Sequence, residues 1–456
     1  MPEAPRLKKL IGPSFIILGL GLGSGEVVLW PYMSSTYGLG IVWGMLIGIT
    51  MQFFINMEVE RYALVNGESI FVGFARLLKW LPAWFIISTF LGFGWPGIGL
   101  YGATLLSEAF NIGSPNTVAI ILFVAIGLIL TLGKVLYKTV ERLQMFIISI
   151  GVPLIVLLTA YLASKADLME LFRGLIGRGV HEGEAFSFLP NGIVIGTFLG
   201  ALAYAGAGGN LNLTQSCYVR DKGYGMGKYA TRITSLFSKK GKKQAVTLTG
   251  NTFPQTEENI NRFHKWWKTV NLEHFLIFWG LGLFTMLTLS LLAYITTYES
   301  DAGGGIAFVI TEGMAIGQLT LPIIGVLFLV VTGIMLAATQ LTVLDSTSRI
   351  ITENVLLMSK KETHNVSKTY YIVLWIQILF GITVFSIGFD QPLTLIIMGA
   401  IINAFSMFVY SGIILILNNK LLAKAVRPRM WRNVVMAATF LFLGYFCAIT
   451  LLEKIG

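Results

Sequence analysis

The chain has 456 residues, 55% of them hydrophobic and 12% charged, with a mean hydropathy of +0.74. Soluble domains carry about 25% charged residues, so most of this chain is built to be solvated by lipid, and counting spans replaces counting domains. The net charge of +10 would suggest nucleic acid in a soluble protein, but its distribution along the chain argues against that partner.

In chain order, a basic stub with Arg6, Lys8 and Lys9 precedes an apolar run over 11–35. The stub lacks a small-residue cleavage site, so the run reads as an uncleaved first helix. Within it, Gly19-Leu-Gly-Leu-Gly-Ser-Gly25 holds five Gly or Ser residues in seven, all poor helix formers, and Glu26 follows at once. Unwound backbone survives in lipid only where it is buried in protein or lines a cavity. A carboxylate at such depth marks a functional site; the plainer reading is a helix whose glycines pack closely, with Glu26 in a structural hydrogen bond.

Ten further spans are predicted, over 39–62, 83–109, 117–133, 143–164, 191–219, 272–297, 319–345, 369–388, 391–417 and 432–452. Gly38 and Gly40 mark the first turn, and Pro82 and Pro392 open the third and tenth spans, where a missing N–H costs little. Trp80, Trp84, Trp266, Trp267 and Trp431 fall near span ends, as in an aromatic belt. With the N-terminus inside, only Lys165, Arg173, Arg178 and Lys454 of the 33 basic residues fall outside, leaving 29 inside. The positive-inside rule asks for this asymmetry and supports eleven spans with the C-terminus outside, in the cell's inner (plasma) membrane. Anionic lipid accounts for the basic surplus without nucleic acid.

The outer loop 165–190 predicts a short amphipathic helix around Leu168–Ile176. The inner loop 220–271, with Lys239, Lys240, Lys242 and Lys243 and then Arg262 to Lys268, reads as a solvated connector or as a regulatory, lipid-sensing segment. Cys217 and Cys447 fit neither metal-ligand spacing nor a disulfide framework. His181, His264, His274 and His364 fall in loops or at span ends, with no metal cluster and no mid-membrane relay among them. There is no nucleotide-binding motif and no cofactor is implied.

The sixth span repeats the anomaly of the first: Tyr204-Ala-Gly-Ala-Gly-Gly-Asn210, then Asn212, Thr214 and Gln215. Interruptions in corresponding places of two halves point to a transporter site. Five spans separate them, an odd number, so the second half must be inverted. The fold class expected is all-α: a polytopic membrane protein of 11 transmembrane helices, forming one domain over 1–456. It divides into a first repeat over 11–164, a second over 191–417, and an extra helix over 432–452.

Other polar residues lie at depth. Glu58, Glu60 and Arg61 close span 2 and are expected to pair with other helices, as a gate or as plain interface. Gln52, two turns deeper, could line the path. Trp95-Pro96-Gly97 predicts a kink in span 3, with Glu108 interfacial. Asp345 and Arg349 end span 8 at a spacing that suits a helix ion pair, with Thr339, Gln340 and Thr342 just above. Asn403 in span 10 bonds across helices or touches substrate.

Gly12-Pro13-Ser-Phe, Gly23-Ser-Gly-Glu26, Glu60-Arg-Tyr-Ala, Asn66-Gly-Glu68 and Gln215-Ser-Cys-Tyr-Val-Arg-Asp-Lys-Gly-Tyr, with the order of spans, resemble the Nramp divalent-metal transporters, members of the LeuT-like fold of five plus five inverted spans. The resemblance covers most of spans 1 to 10. It departs at the metal motifs: Gly23, Ser24, Gly25 and Glu26 replace the family's Asp-Pro-Gly-Asn. Ala205, Gly206, Ala207, Gly208, Gly209 and Asn210 replace its Ala-x-x-Met-Pro-His. What the resemblance implies is then a central ion site with Glu26 as charged ligand or proton acceptor and the Ala205 carbonyl as second metal ligand. Gly206 and Gly209 would add backbone groups; Asn210, Asn212, Ser24 and Gly23 would surround them. Without a thioether the set is all oxygen, which suits a hard cation such as Mg²⁺ or Na⁺. It could equally hydrogen-bond a small organic solute carried with Na⁺ or H⁺. A third reading is a membrane sensor or scaffold with loop 220–271 as its output surface. The partners implied are membrane lipid and a small ion or solute, and the chain is not read as an enzyme.

Overall fold

The computed structural model describes residues 1–5, 12–133, 135–178, 188–190, 192–230, 233, 247–298, 300, 302–359, 365–388 and 393–455, without the side chains of Ser24, Lys454 and Ile455. Arg6, Lys8, Lys9, His181, Lys239, Lys240, Lys242, Lys243, His364 and Pro392 lie outside the described residues.

The described chain is a polytopic bundle of helices. Nine are long and apolar enough to cross a bilayer: Leu39–Asn66, Leu81–Phe110, Pro115–Leu132, Leu136–Leu162, Glu257–Thr297, Pro322–Met358, Val366–Ser386, Leu393–Leu421 and Met430–Glu453. A tenth is the bent pair Pro13–Gly21 and Gly25–Tyr37, which meet at 43°. Ile195–Ala203 and Gln215–Lys222, joined by a 3₁₀ turn over Gly209–Thr214, take the sixth place. Its halves are each too short to span alone, so hydropathy over the whole interrupted run reveals it where helix length does not. Counted in chain order, these are spans 1 to 11.

Local chemistry explains the boundaries. Gly38 turns the chain at φ 77° between spans 1 and 2. Span 3 is cut into Leu81–Phe93 and Gly97–Phe110 by Pro96, which cannot donate to the preceding turn. Gly102 lets span 3 lie against span 8, since a Cβ there would sit 3.0 Å from the Gly333 carbonyl and from the Ala337 amide. The amphipathic helix expected near Leu168–Ile176 forms over Lys165–Gly174, opened by a Ser164–Asp167 capping box.

Three expectations are corrected. Residues 257–271 are not loop: the helix begins at Glu257, runs straight into span 7, and buries Phe263, Trp266 and Val270 at helical spacing. Trp266 therefore belongs to the packed interior, its Nε1–H donating to the Pro2 carbonyl at 2.9 Å, while Trp80 and Trp431 are more than half exposed. Span 8 does not end at Asp345. It continues to Met358, because Asp345 and Arg349 are buried in partners rather than solvated.

Candidate functional site

The first helix half stops at Gly21. Leu22 N–H still reaches the Leu18 carbonyl at 3.0 Å, and at Gly23 the backbone turns extended before a wide π-type turn over Ser24–Leu29. Thr339 of span 8 lies against this break: its Oγ1 is 2.9 Å from the Gly19 carbonyl and 2.9 Å from the Leu22 carbonyl, so one hydroxyl serves two orphan acceptors.

The second break needs its glycines. Gly206, Gly208 and Gly209 have φ of 145°, 76° and 47°, a region other residues avoid. Gln52 of span 2 replaces the missing helical bonds. Its Nε2–H donates to the Ala203 carbonyl at 3.0 Å and its Oε1 accepts from the Gly208 amide at 3.0 Å. Gln52, expected on a path, is thus the clasp of the break. The Gly209 carbonyl accepts from Tyr410 Oη at 2.8 Å. Among the described residues no donor is bonded to the Ala205 or Gly206 carbonyl.

Glu26 is fully buried, and among the described residues neither carboxylate oxygen has a hydrogen-bond partner. A Cβ built on Gly21 would lie 2.8 Å from Glu26 Oε1 and 3.1 Å from the carbonyl carbon of Gly206. The carboxylate, the end of the first helix half and the second break therefore converge, and a side chain at position 21 would have to displace the Glu26 carboxylate. Beside them is a void of about 10 Å³ lined by Gly21, Gly25, Phe93, Tyr204, Gly206 and Ala207. That is room for about one water-sized particle. It adjoins a cavity of about 220 Å³ between spans 3, 6, 8 and 10, lined mostly by apolar residues, with Gln340 and Tyr204 on its wall.

The other expected residues divide. Asn210 and Asn212 point to other helices: Asn210 Nδ2–H donates to Ser88 Oγ at 2.8 Å and Thr89 Oγ1 at 2.9 Å, and Asn212 Nδ2–H to Tyr410 Oη at 3.1 Å. Among the described residues each keeps a buried Oδ1 without a partner. Asn403 bonds across helices, to Tyr204 Oη at 3.1 Å and the Gly92 carbonyl at 3.2 Å. Gln340 Oε1 accepts from Gly99 N–H at 2.9 Å, steadying the restart of span 3. Gly23 abuts Thr339.

At the face of the bundle that carries Gly12, Asn66 and Lys222, two buried networks join the helices. Arg61 pairs with Glu58 one turn back on its own helix at 2.7 Å, and the group also reaches other helices: Arg61 donates to the Val426 carbonyl at 3.1 Å and Arg432 of span 11 joins Glu58 at 3.0 Å. Arg349 holds Asp345 at 3.0 Å and Asp221 of span 6 at 2.6 Å, and Tyr218 and Tyr370 donate to Asp345 at 2.8 and 2.6 Å. The expected helix pair is real but is one edge of a buried cluster.

Sequence reasoning passed over Glu273 and Glu312, both buried, and placed His274 at a span end. His274 is instead wholly buried, stacked on Phe278 with ring centroids 4.6 Å apart, because the helix starts well before it. The signal was the Glu-His pair heading the apolar run Phe275–Leu281. Cys217 and Cys447 are free and buried. Among the described residues, no three His, Cys, Asp or Glu side chains converge on a metal position.

No protein-family model matches the chain, and no curated protein matches it by sequence. Solved structures do match in fold. A mutant of the Eremococcus coleocola manganese transporter superposes with a TM-score of 0.68 at 12% identity, over 99% of this chain and 88% of that one. MhsT in complex with L-phenylalanine gives 0.53 at 15% identity, over 99% and 98%. A nucleobase-cation-symport-1 family transporter, closed on bromovinylhydantoin, gives 0.50 at 11% identity, over 97% and 90%. At such identities the likeness is one of fold, and the fold this chain shares with them is the LeuT-like arrangement of helices, broken in the first and the sixth.

Proposed function

We propose that the chain is a secondary transporter that moves a cation across the membrane by alternating access, a distant relative of the Nramp carriers with its metal site rebuilt in oxygen. The manganese transporter among its structural neighbours supports the class of cargo. The whole chain would be one transport domain: an inverted pair of repeats over 11–164 and 191–417, the connector between spans 6 and 7 on the cytoplasmic side, and span 11. The face with Gly12 and Lys222 would be cytoplasmic and the C-terminus outside.

The observation that carries this reading is Glu26, a buried carboxylate with two bare oxygens lying where both broken helices meet. A buried charge without a partner is too costly to persist, so Glu26 must hold either a proton or a cation. The Ala205 and Gly206 carbonyls would complete an all-oxygen set, and Asn210 and Asn212 hold further bare acceptors one helix turn on. Oxygen ligands suit hard cations, and nothing in the set is soft enough to prefer Mn²⁺, Fe²⁺ or Cd²⁺. Proton and cation would compete for one carboxylate, so affinity should fall as pH drops.

The test is uptake into liposomes between mildly acid and mildly alkaline pH, after calorimetry with Mg²⁺, Na⁺, Mn²⁺ and Cd²⁺ has chosen the best ligand. Glu26→Gln should abolish uptake and its pH dependence in a folded protein. A Gln variant that transports like the parent would make Glu26 a packing residue. Cd²⁺ binding in the micromolar range, lost in Glu26→Gln, would refute the hard-cation assignment. A second reading, a coupled carrier of a small organic solute, is favoured by the 220 Å³ apolar cavity beside the void.

A further inference from the structure

The Glu58 network carries more positive than negative charge. Glu58 accepts from Arg61 Nε–H at 2.7 Å, Arg432 Nη1–H at 3.0 Å and Asn418 Nδ2–H at 3.1 Å, so one carboxylate faces two guanidinium groups. Aromatic faces take up the surplus. The Arg61 guanidinium carbon stands 3.8 Å from the centre of the Trp267 ring. That of Arg432 stands 4.8, 5.0 and 5.4 Å from the rings of Trp267, Trp431 and Phe54. Arg432 Nη2–H also donates to Asn271 Oδ1 at 2.5 Å, and Arg61 Nη1–H to the Val426 carbonyl at 3.1 Å. These bonds seat the 3₁₀ turn Lys424–Val426 and the head of span 11 on the polar arm of span 7, residues 257–271.

Around that seat the charge is of one sign. Arg262, Lys265 and Lys268 lie in 261–271, and Lys420, Lys424, Arg427, Arg429 and Arg432 in 419–433, with no Asp or Glu in either stretch. Lys268, Lys424 and Arg429 are exposed. Lys268 follows Trp267, Lys424 opens the 3₁₀ turn, and the Arg429 carbonyl accepts from Arg432 N–H at 2.9 Å. The undescribed residues of the same-side connections, 6–11, 231–232, 234–246 and 360–364, hold ten Lys or Arg against one acid, Glu362, so they cannot reverse the sign. Beside the bases, Met430, Trp431 and Val434 are 75%, 51% and 56% exposed on the first turns of span 11. An exposed Trp at a span end marks the membrane interface. Cationic and apolar surface thus adjoin at the depth where a phospholipid has its acid group and the start of its chains.

We propose that this corner binds one phospholipid with an anionic headgroup, its phosphate on Lys268, Lys424 and Arg429 and its acyl chain over Trp431 and Val434. The surplus of Arg61 and Arg432 lies just beneath, and a low-dielectric surround focuses its field outward. A zwitterionic lipid, with no net charge, leaves that field standing; an anionic one neutralises it. Because Arg61 belongs to span 2, Trp267 to the arm of span 7 and Arg432 to span 11, the bound lipid fastens three spans at one end of the bundle. The site does not depend on what the chain carries and requires only that its spans lie in a bilayer.

The experiment takes the full chain in detergent, adds phosphatidylglycerol or phosphatidylcholine with identical chains, and counts retained lipid by native mass spectrometry. Phosphatidylglycerol should bind as one tight equivalent, and phosphatidylcholine should not. The triple variant Lys268→Gln, Lys424→Gln, Arg429→Gln should weaken that equivalent roughly a hundredfold, since each base at a membrane surface contributes about 1 kcal/mol and 1.4 kcal/mol is tenfold. Arg429→Gln alone should weaken it about fivefold, which keeps the site testable if the triple variant does not fold. A charge-matched triple at exposed bases of the same end, Lys79→Gln, Lys138→Gln, Lys368→Gln, should bind as the parent does. Equal weakening by the two triples, or equal retention of the two lipids, overturns the site and leaves bulk charge alone. Displacement of the tight lipid by millimolar glycerol phosphate or by a short oligonucleotide assigns the corner to a soluble anion and overturns the lipid. None of these outcomes uses uptake or Glu26, so the transport reading keeps its own test.

Discussion

Gly21→Ala is the sharpest probe of the central site. The residue ends a helix, where exchanging Gly for Ala contributes up to about 1 kcal/mol of stability. Against that, the new methyl would stand 2.8 Å from Glu26 Oε1 and 3.1 and 3.2 Å from the backbone of Gly206. Both backbones are fixed, so the Glu26 side chain must give way, at a cost of about 1–3 kcal/mol for overpacking. The net change in folding stability is then about 0–2 kcal/mol, well inside what a protein this size tolerates. Function should suffer far more, because the methyl competes for a void that takes about one water-sized particle. Thermal unfolding in detergent should move by a few degrees, while calorimetric binding of the preferred cation should be lost. A Gly21→Ala protein that folds and binds with parental affinity would mean that cations do not reach the space between the breaks.

Thr339→Val keeps the shape of span 8 but removes the hydroxyl shared by the Gly19 and Leu22 carbonyls; about 1–3 kcal/mol of stability should go, and unchanged melting would show that water replaces it. Arg349→Met leaves Asp345 with only the Tyr218 and Tyr370 hydroxyls and Asp221 with only Arg220 at 3.3 Å, for up to about 3–5 kcal/mol; adding Asp221→Asn should recover part of the loss, and no recovery would show that the charges are not the cause. Cysteines placed over 165–178 should react with an impermeant reagent added to intact cells and those over 247–256 should not; the reverse pattern would turn the topology over.

Hydropathy made the spans legible because lipid demands long apolar runs, and it found even the sixth, whose halves are only nine and eight residues long. It failed at Glu257–Asn271 because that stretch is polar overall. Only the spacing of Phe263, Trp266 and Val270 betrays a buried stripe. Glu26 was legible because glycines and a carboxylate in an apolar run violate local propensity together. Gln52 and Thr339 were seen as polar, but their partners lie 151 and 320 residues away, and no local pattern encodes such a pairing. Arg349 was misplaced for the opposite reason: a charge in sequence looks like a helix end until its burial is known.

Span 8 runs unbroken for 37 residues, from Pro322 to Met358. At 1.5 Å per residue it is a rod of about 55 Å, nearly twice the roughly 30 Å thickness of a hydrocarbon core. Thr339, which grips the first break, sits close to its midpoint. The rod is therefore tied to the first break near its centre, with Arg349 and Glu353 on one arm. A tilt of about 10° about that point would carry each tip through about 5 Å, close to one helical turn. Any lean of the rod would then bear mechanically on the grip at its centre.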